Sequence, residues 1–486
     1  MNGNINKKIN TAASWSSLTE IIARLISPIV NMILARLLVP EAFGIIATIN
    51  MVISFAELFT DAGFQKYLIQ HEFPDEAALE KNTNVAFWTN LAVSVVICAG
   101  IFLFRHPIAA LTGNPELGNS IGVASLLIII AAFSSIQTAR YRRALDFKTL
   151  FYVRIVTSLI PLVVTVPLAW VLRNYRALLI GTFCSHLSNA VILTVRSAWK
   201  PKFYYSISLL REMFSFSVWT LLESISIWLT AYIDIFIVGN YLNAHWLGIY
   251  KTSMSTVNSY LAIITGALTP VLFSALSRYQ NDEINYRKTY YSFQRLTALF
   301  VLPMGVGIFV YRDFVTQILL GSQWTEAGEF IGLWGLTGAF SIIFAQFSSE
   351  VYRSSGNPKI SLSMQVLHLA FLIPTLLLSI PHGYEAVCIS RSLVRIQGMV
   401  SALLVLCFVY HFSPIVMFRG LAPMIGSAFI MGAAGYVLRP LSPSLLWQIV
   451  SILLCIVIYF TVLLLFLEKN KKEIIQLVKT FLKGKK

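Results

Sequence analysis

Residues 37–47 read LLVPEAFGIIA and residues 241–251 read YLNAHWLGIYK, so that Gly44 stands opposite Gly248 at an offset of 204. The pairing continues along the chain. FRHPIAALTGNPELG around Arg105 meets YRDFVTQILLGSQWTEAG around Arg312, and RYRRALDFK meets VYRSSGNPK, with Tyr141, Arg142 and Lys148 opposite Tyr352, Arg353 and Lys359. LIPLVV (159–164) then meets LIPTLL (372–377), and NYRAL meets GYEAV with Tyr175 opposite Tyr384. Order is kept and the offset drifts only to 213. Two copies of one unit of roughly two hundred residues therefore follow each other. Each copy holds six apolar runs; an even number gives both copies one orientation, related by an axis along the membrane normal.

Those runs set the class of protein. The chain has 486 residues, 57% hydrophobic and 12% charged, against roughly 25% charged in a soluble domain, which excludes a cytosolic globular enzyme. A helix crosses a bilayer with about 20 apolar residues. Fourteen segments qualify, at 14–38, 43–68, 83–104, 118–139, 150–172, 176–198, 213–239, 245–277, 289–310, 328–350, 360–380, 383–410, 418–438 and 444–467. The expected fold is an all-α polytopic membrane protein of about 14 transmembrane helices in two pseudo-symmetric six-helix lobes plus two C-terminal helices. The boundaries are an N-terminal lobe at 1–205 (spans 1–6), a C-terminal lobe at 206–412 (spans 7–12), two additional spans at 413–467, and a basic amphipathic cytoplasmic tail at 468–486.

The net charge of +15 sits in short clusters between apolar runs, which is a topology signal and not a nucleic-acid footprint. With both termini cytoplasmic, the far side receives only Arg105, Arg173, Arg176, Arg312 and Arg439, and most other loop cations lie inside, as the positive-inside rule requires. The N-terminus lacks a cleavable secretory signal, so the first apolar segment is expected to stay. The five cysteines all lie in apolar runs with neither CxxC spacing nor a nearby His cluster, so neither a disulfide nor a metal site is expected. No loop is long enough for a catalytic domain, and no GxxxxGK[ST] is present. Repeated lobes and short loops point to an alternating-access carrier and away from an enzyme.

Ionisable residues at membrane depth are functional candidates by default. Arg24 lies ten residues into span 1, about 15 Å deep. Glu20 is one turn before it and Pro28 four residues after it, where the missing N–H opens a hinge. Glu57 and Asp61 share one face of span 2, with Glu57 near the depth of Arg24, which predicts an Arg24–Glu57 pair that either couples transport or sets lobe packing. Arg391 and Arg395 share a face of span 12, a cost that an anion or acidic partners opposite would offset, and the repeat puts His186 in the equivalent place. Lys251 extends this basic set towards the outer side, with Asp234 of span 7 as an acidic counterpart. Arg36, Arg154 and Arg295 lie close enough to span ends to snorkel. Pro270 is a second hinge candidate.

LLVPEAFGIIA, FTDAGFQKYLIQ (59–70), NTNVAFWTNLAV (82–93), YIDIFIVGNYLNAHWLGIYKTS (232–253) and LLGSQWTEAGEFIGLWGLTG (319–338), in this order and spacing, resemble the polysaccharide transporters of the MOP flippase superfamily, notably the Wzx-type branch of colanic-acid and capsule repeat-unit exporters. The resemblance covers nearly the full chain. It implies a central cationic cavity that carries an undecaprenyl-diphosphate-linked oligosaccharide from the cytoplasmic to the periplasmic leaflet of the bacterial inner membrane. Arg24, Lys251, Arg391 and Arg395 are then the candidates to meet the diphosphate. Glu20, Glu57, Asp61, Asp234 and His186 are candidates for ion coupling or gating, and Pro28 and Pro270 for hinges. The resemblance implies no cofactor; H+ or Na+ would suit the acidic pair as a coupling ion. Expected partners are the lipid-linked substrate, membrane lipids and polysaccharide polymerase or assembly proteins, with no nucleic acid, and the chain is expected to act as a monomer. A carrier of lipid II or of cationic drugs is the alternative; the drug carrier would favour acidic lumen residues and twelve helices. The second copy departs from the family's PEAFG pattern as NAHWLG, and the stretch after span 8 reads TPVLFSALS.

Overall fold

A computed structural model describes Trp15, Thr19, Ile22, Ala23 and residues 26–61 and 63–466. Among the described residues there is helix and no strand. Thirteen helices are long and apolar enough to cross a membrane, and they correspond to spans 2–14. Span 1 is described over Ile26–Leu37, here α1. The others are α2 (Pro40–Asp61), α3 (Glu76–Leu103), α4 (Pro115–Arg143), α5 (Phe147–Leu172), α6 (Tyr175–Arg196), α7 (Ile207–Tyr241), α8 (Ala244–Arg278), α9 (Glu283–Val310), α10 (Ser322–Ser354), α11 (Lys359–His382), α12 (Tyr384–Phe408), α13 (Pro414–Leu441) and α14 (Leu445–Phe466). Glu20, Arg24 and the tail at 468–486 lie outside the described residues.

Span 2 needs correction. The apolar run to residue 68 is two helices, because Gly63 takes a left-handed conformation (φ +81°) that ends α2 and starts a short helix, Phe64–Gln70. Arg143 holds that helix by donating to the carbonyls of Leu68 (2.8 Å) and His71 (2.7 Å). Asp75 then caps α3, its carboxylate accepting the N–H of Ala78 at 2.6 Å.

The chain forms two compact units, Met1–Lys251 and Thr252–Lys486, which divide inside α8. In the first unit, Ile49, Ile53, Ile121 and Ile128 build one buried cluster across α2 and α4, and Phe64, Phe87, Ile136 and Trp199 build another. Helix α7 packs on α2 in this unit, where the Trp228 indole donates to Ser54 Oγ at 2.9 Å and its ring meets Phe55 at 4.7 Å. In the second unit α9 is the hub. It packs against α10 and against α13, and the Tyr459 hydroxyl of α14 donates to the Leu299 carbonyl of α9 at 3.0 Å. Arg439, at the end of α13, donates to the Val310 carbonyl at 2.9 Å and pairs with Asp313. The two helices outside the repeat are thereby docked on α9.

Local structure recurs at matched positions. Arg105 lies over the Phe102 ring at 4.7 Å and Arg312 over the Phe309 ring at 5.8 Å, each just after a long helix. Left-handed turns follow α4 at Leu145 (φ 57°) and α10 at Gly356 (φ 73°). In both, the third residue beyond the helix end returns its N–H five residues back, Asp146 to Tyr141 and Asn357 to Tyr352.

Candidate functional site

The first unit contains an open cavity of about 840 Å³ lined by α1, α4, α5 and α6. Its lining on α5 includes Arg154, Thr157, Ser158, Pro161 and Thr165 beside the apolar Phe147, Leu150 and Val153, and on α6 it includes Thr182, Ser185, His186 and Asn189. Spacings of three and four put each set on one helix face. Arg142 of α4 and Asn31 of α1 complete the polar wall. Among the described residues no carboxylate lines the cavity.

Proline shapes this wall. Pro161 and Pro167 have no N–H to give to the carbonyls four residues before them, so the helix register slips between them. A π-helical turn spans Pro161–Thr165, and Val166 donates to the Pro161 carbonyl, five residues back. Gly181 lets α6 approach the widened turn, since a Cβ there would sit 1.9 Å from Thr165 Oγ1.

The wall has a definite hydrogen-bonding character. Ser158 donates its hydroxyl to the Arg154 carbonyl (2.7 Å), Thr182 to Leu178 (2.9 Å) and Ser185 to Gly181 (2.9 Å). Their oxygens therefore face a ligand as acceptors, while Arg142 and Arg154 supply charged donors. Hydroxyl and amide groups beside these two cations suit a molecule with many hydroxyls and an anionic group.

Arg391 and Arg395 meet an aromatic ring. Arg391 Cζ lies 5.0 Å and Arg395 Cζ 3.1 Å from the centroid of Trp334 in α10. Arg395 also donates to the Trp334 carbonyl at 2.9 Å, and the indole N–H donates to Asn258 Oδ1 at 3.0 Å. Arg391 is only 7% exposed. A π face and a main-chain carbonyl thus place negative potential beside this pair.

The remaining candidates are dispersed. Lys251 lies over the Tyr232 ring at 5.7 Å. Asp234, 2% exposed, accepts from the Tyr250 hydroxyl at 2.9 Å and from the Ile235 N–H at 2.8 Å. Glu57 makes no hydrogen bond or ion pair through its carboxylate with another described residue. Its predicted partner Arg24 is outside the described residues, and of Asp61 only the backbone is described. Pro28 is buried in α1, and α8 continues as a helix through Pro270. Of the described residues proposed from sequence for binding, coupling or hinges, His186 reaches the cavity. Arg154, set aside as a snorkelling residue, lines it. The i, i+3, i+4, i+7, i+11 stripe of polar residues and proline beginning at Arg154 was the signal for it.

The first turns of α2 and α8 cross in the same unit. A Cβ on Gly44 would lie 1.9 Å from the Ala244 carbonyl oxygen, and one on Gly248 would lie 1.8 Å from that of Pro40. Glu41 and His245 meet across the crossing at 3.0 Å. Residues matched by the repeat thus pack reciprocally, as a local twofold demands.

Comparison with known proteins agrees with the helical architecture. The chain is 25% identical to the succinoglycan biosynthesis transport protein ExoT of Rhizobium meliloti (strain 1021), over 68% of this chain and 66% of that protein. It is 22% identical to the lipopolysaccharide biosynthesis protein WzxC of Escherichia coli (strain K12), over 74% of this chain and 70% of that protein. The teichuronic acid biosynthesis protein TuaB of Bacillus subtilis (strain 168) is 22% identical over 70% of each chain. Among solved structures, the lipid II flippase MurJ in an inward closed conformation superposes with a TM-score of 0.73 at 14% identity, covering 93% of this chain and 98% of that one. An inward-facing multidrug resistance MATE family transporter of the MOP superfamily gives 0.58 at 12% identity, covering 84% and 98%. Residues 33–329 match the family described as polysaccharide biosynthesis protein, and with more than half of its length inside that match this multi-pass membrane protein belongs to the family.

Proposed function

We propose that the protein is a flippase that moves lipid-linked oligosaccharide repeat units, of the capsule, exopolysaccharide or O-antigen type, from the cytoplasmic to the outer leaflet of the bacterial inner membrane by alternating access. The observation that carries the reading is the cavity of the first unit, whose described residues put cations, hydroxyls and amides on its wall and no carboxylate. A carrier of cationic drugs needs the opposite charge. In this reading Arg142, Arg154 and His186 bind the anionic or sugar portion. Arg391 and Arg395 shape the second unit through Trp334, and Arg395 and Lys251 are further candidates to meet the lipid diphosphate. Both termini are cytoplasmic, and Glu57 is the candidate for coupling to H+ or Na+. The names of ExoT, WzxC and TuaB support a role in polysaccharide assembly.

Purified protein in proteoliposomes containing a fluorescent polyprenyl-diphosphate oligosaccharide tests this. Protein-dependent transfer to the opposite leaflet, lost in Arg154→Ala, is the expected result. Transfer of a cationic dye in its place would assign the chain to the drug-carrier alternative.

A further inference from the structure

In the second unit, the first turns of α9 and α13 enclose a groove of about 370 Å³ that the cavity above does not include. Its α9 wall carries Arg287, Lys288, Tyr291 and Arg295, at helical spacings that share one face. Its α13 wall is apolar and small: Val416, Met417 and Gly420. The Tyr291 hydroxyl accepts the N–H of Ser413 at 2.9 Å and ties the two helix starts together. Glu283 offsets part of the charge, accepting from Arg287 at 2.7 Å. Arg287, Lys288 and Arg295 on its wall make the groove basic.

Arg287 and Arg295 are eight residues apart, about 12 Å along the helix, so the groove runs from the membrane surface into the apolar layer. The Arg295 stem lies along α13 at Gly420, where a Cβ would be 3.4 Å from Arg295 Cδ. Ile284 (80% exposed), Ile415 (76%) and Val416 (50%) border the groove with apolar surface. The site is therefore cationic at the surface and apolar below. A soluble anion would leave the apolar wall unused, and a zwitterionic headgroup would bring its own ammonium against the arginines.

We propose that this groove binds an anionic phospholipid, its phosphate held by Arg287, Lys288 and Arg295 and its acyl chains lying along Val416–Gly420. In the orientation of the positive-inside rule the lipid belongs to the cytoplasmic leaflet. The inference stands on the α9–α13 groove and does not depend on which substrate the protein carries.

The test uses the full chain in nanodiscs of phosphatidylcholine with a trace of photoactivatable phosphatidylglycerol, and maps the labelled peptides by mass spectrometry. Labelling is expected on the 284–295 and 414–420 segments. It should fall about fivefold for each charge removed in Arg287→Gln and Lys288→Gln, and also fall in Gly420→Leu, which fills the groove beside the Arg295 stem and removes no charge. An excess of inorganic phosphate should leave it unchanged. Equal labelling by photoactivatable phosphatidylcholine, full labelling of the Arg287→Gln/Lys288→Gln protein, or displacement by inorganic phosphate would each overturn the proposal.

Discussion

Replacement of Gly248 by alanine is the sharpest perturbation the structure offers. The new methyl carbon would stand 1.8 Å from the Pro40 carbonyl oxygen, where an ordinary contact begins at 3.4 Å. Main chain blocks it, so no side-chain rotation relieves the clash, and α2 and α8 must separate by roughly 1.6 Å. Overpacking of this kind costs about 1–3 kcal/mol, which lowers the population of the closed crossing by about 5- to 150-fold. The Glu41–His245 contact offers little resistance, because Glu41 is 48% exposed and such a pair contributes at most about 1 kcal/mol. The assay is oxidative cross-linking of a Glu41→Cys/His245→Cys pair in membranes, with and without Gly248→Ala. Gly100→Ala in α3 is the control, since nothing lies within 4 Å of a Cβ there. The pair should cross-link readily in the parent and control proteins and slowly with Gly248→Ala. Equal cross-linking in all three, with export intact, would refute the crossing as a closed contact.

Two further outcomes follow from the geometry. Trp334→Ala removes the ring between Arg391 and Arg395 and should lower stability by about 3–5 kcal/mol, whereas Trp334→Phe keeps a π face, loses the Asn258 hydrogen bond and should lower it by about 1–2 kcal/mol; denaturation in detergent followed by near-UV circular dichroism separates the two. At the start of α9, donors from Asn285 hold the Asp282 carboxyl below its ordinary value of 3.8. A depressed value stabilises the folded form above that pH, and the stabilisation is lost as pH falls through the folded value, so hydrogen-exchange protection of the first α9 amides should weaken only below pH 3.8 and be independent of pH in Asp282→Asn.

The membrane helices were legible because apolar runs of twenty residues have few alternatives, and the repeat was legible because Gly44 and Gly248 must both admit a neighbouring backbone. Their mutual contact was not legible, since a repeat offset states equivalence and not proximity. Gly63 inside the FTDAGFQKYLIQ stretch is the signal that would have split span 2. Arg391 and Arg395 were legible as two cations on one helix face. Their partner was missed because an indole ring carries no charge in the sequence and Trp334 lies in another span. Arg154 was set aside for its place near a span end, while the hydroxyls and proline that follow it on one face marked a polar cavity wall.

Glycan export in a bacterial strain lacking its own repeat-unit exporter tests the central claim most directly. The wild-type chain should restore surface polysaccharide, and Arg154→Ala and His186→Ala, matched for membrane expression, should not. Restoration by both variants would remove the cavity from the mechanism, and failure of the well-expressed wild type to restore export, together with resistance to cationic dyes, would contradict the flippase itself.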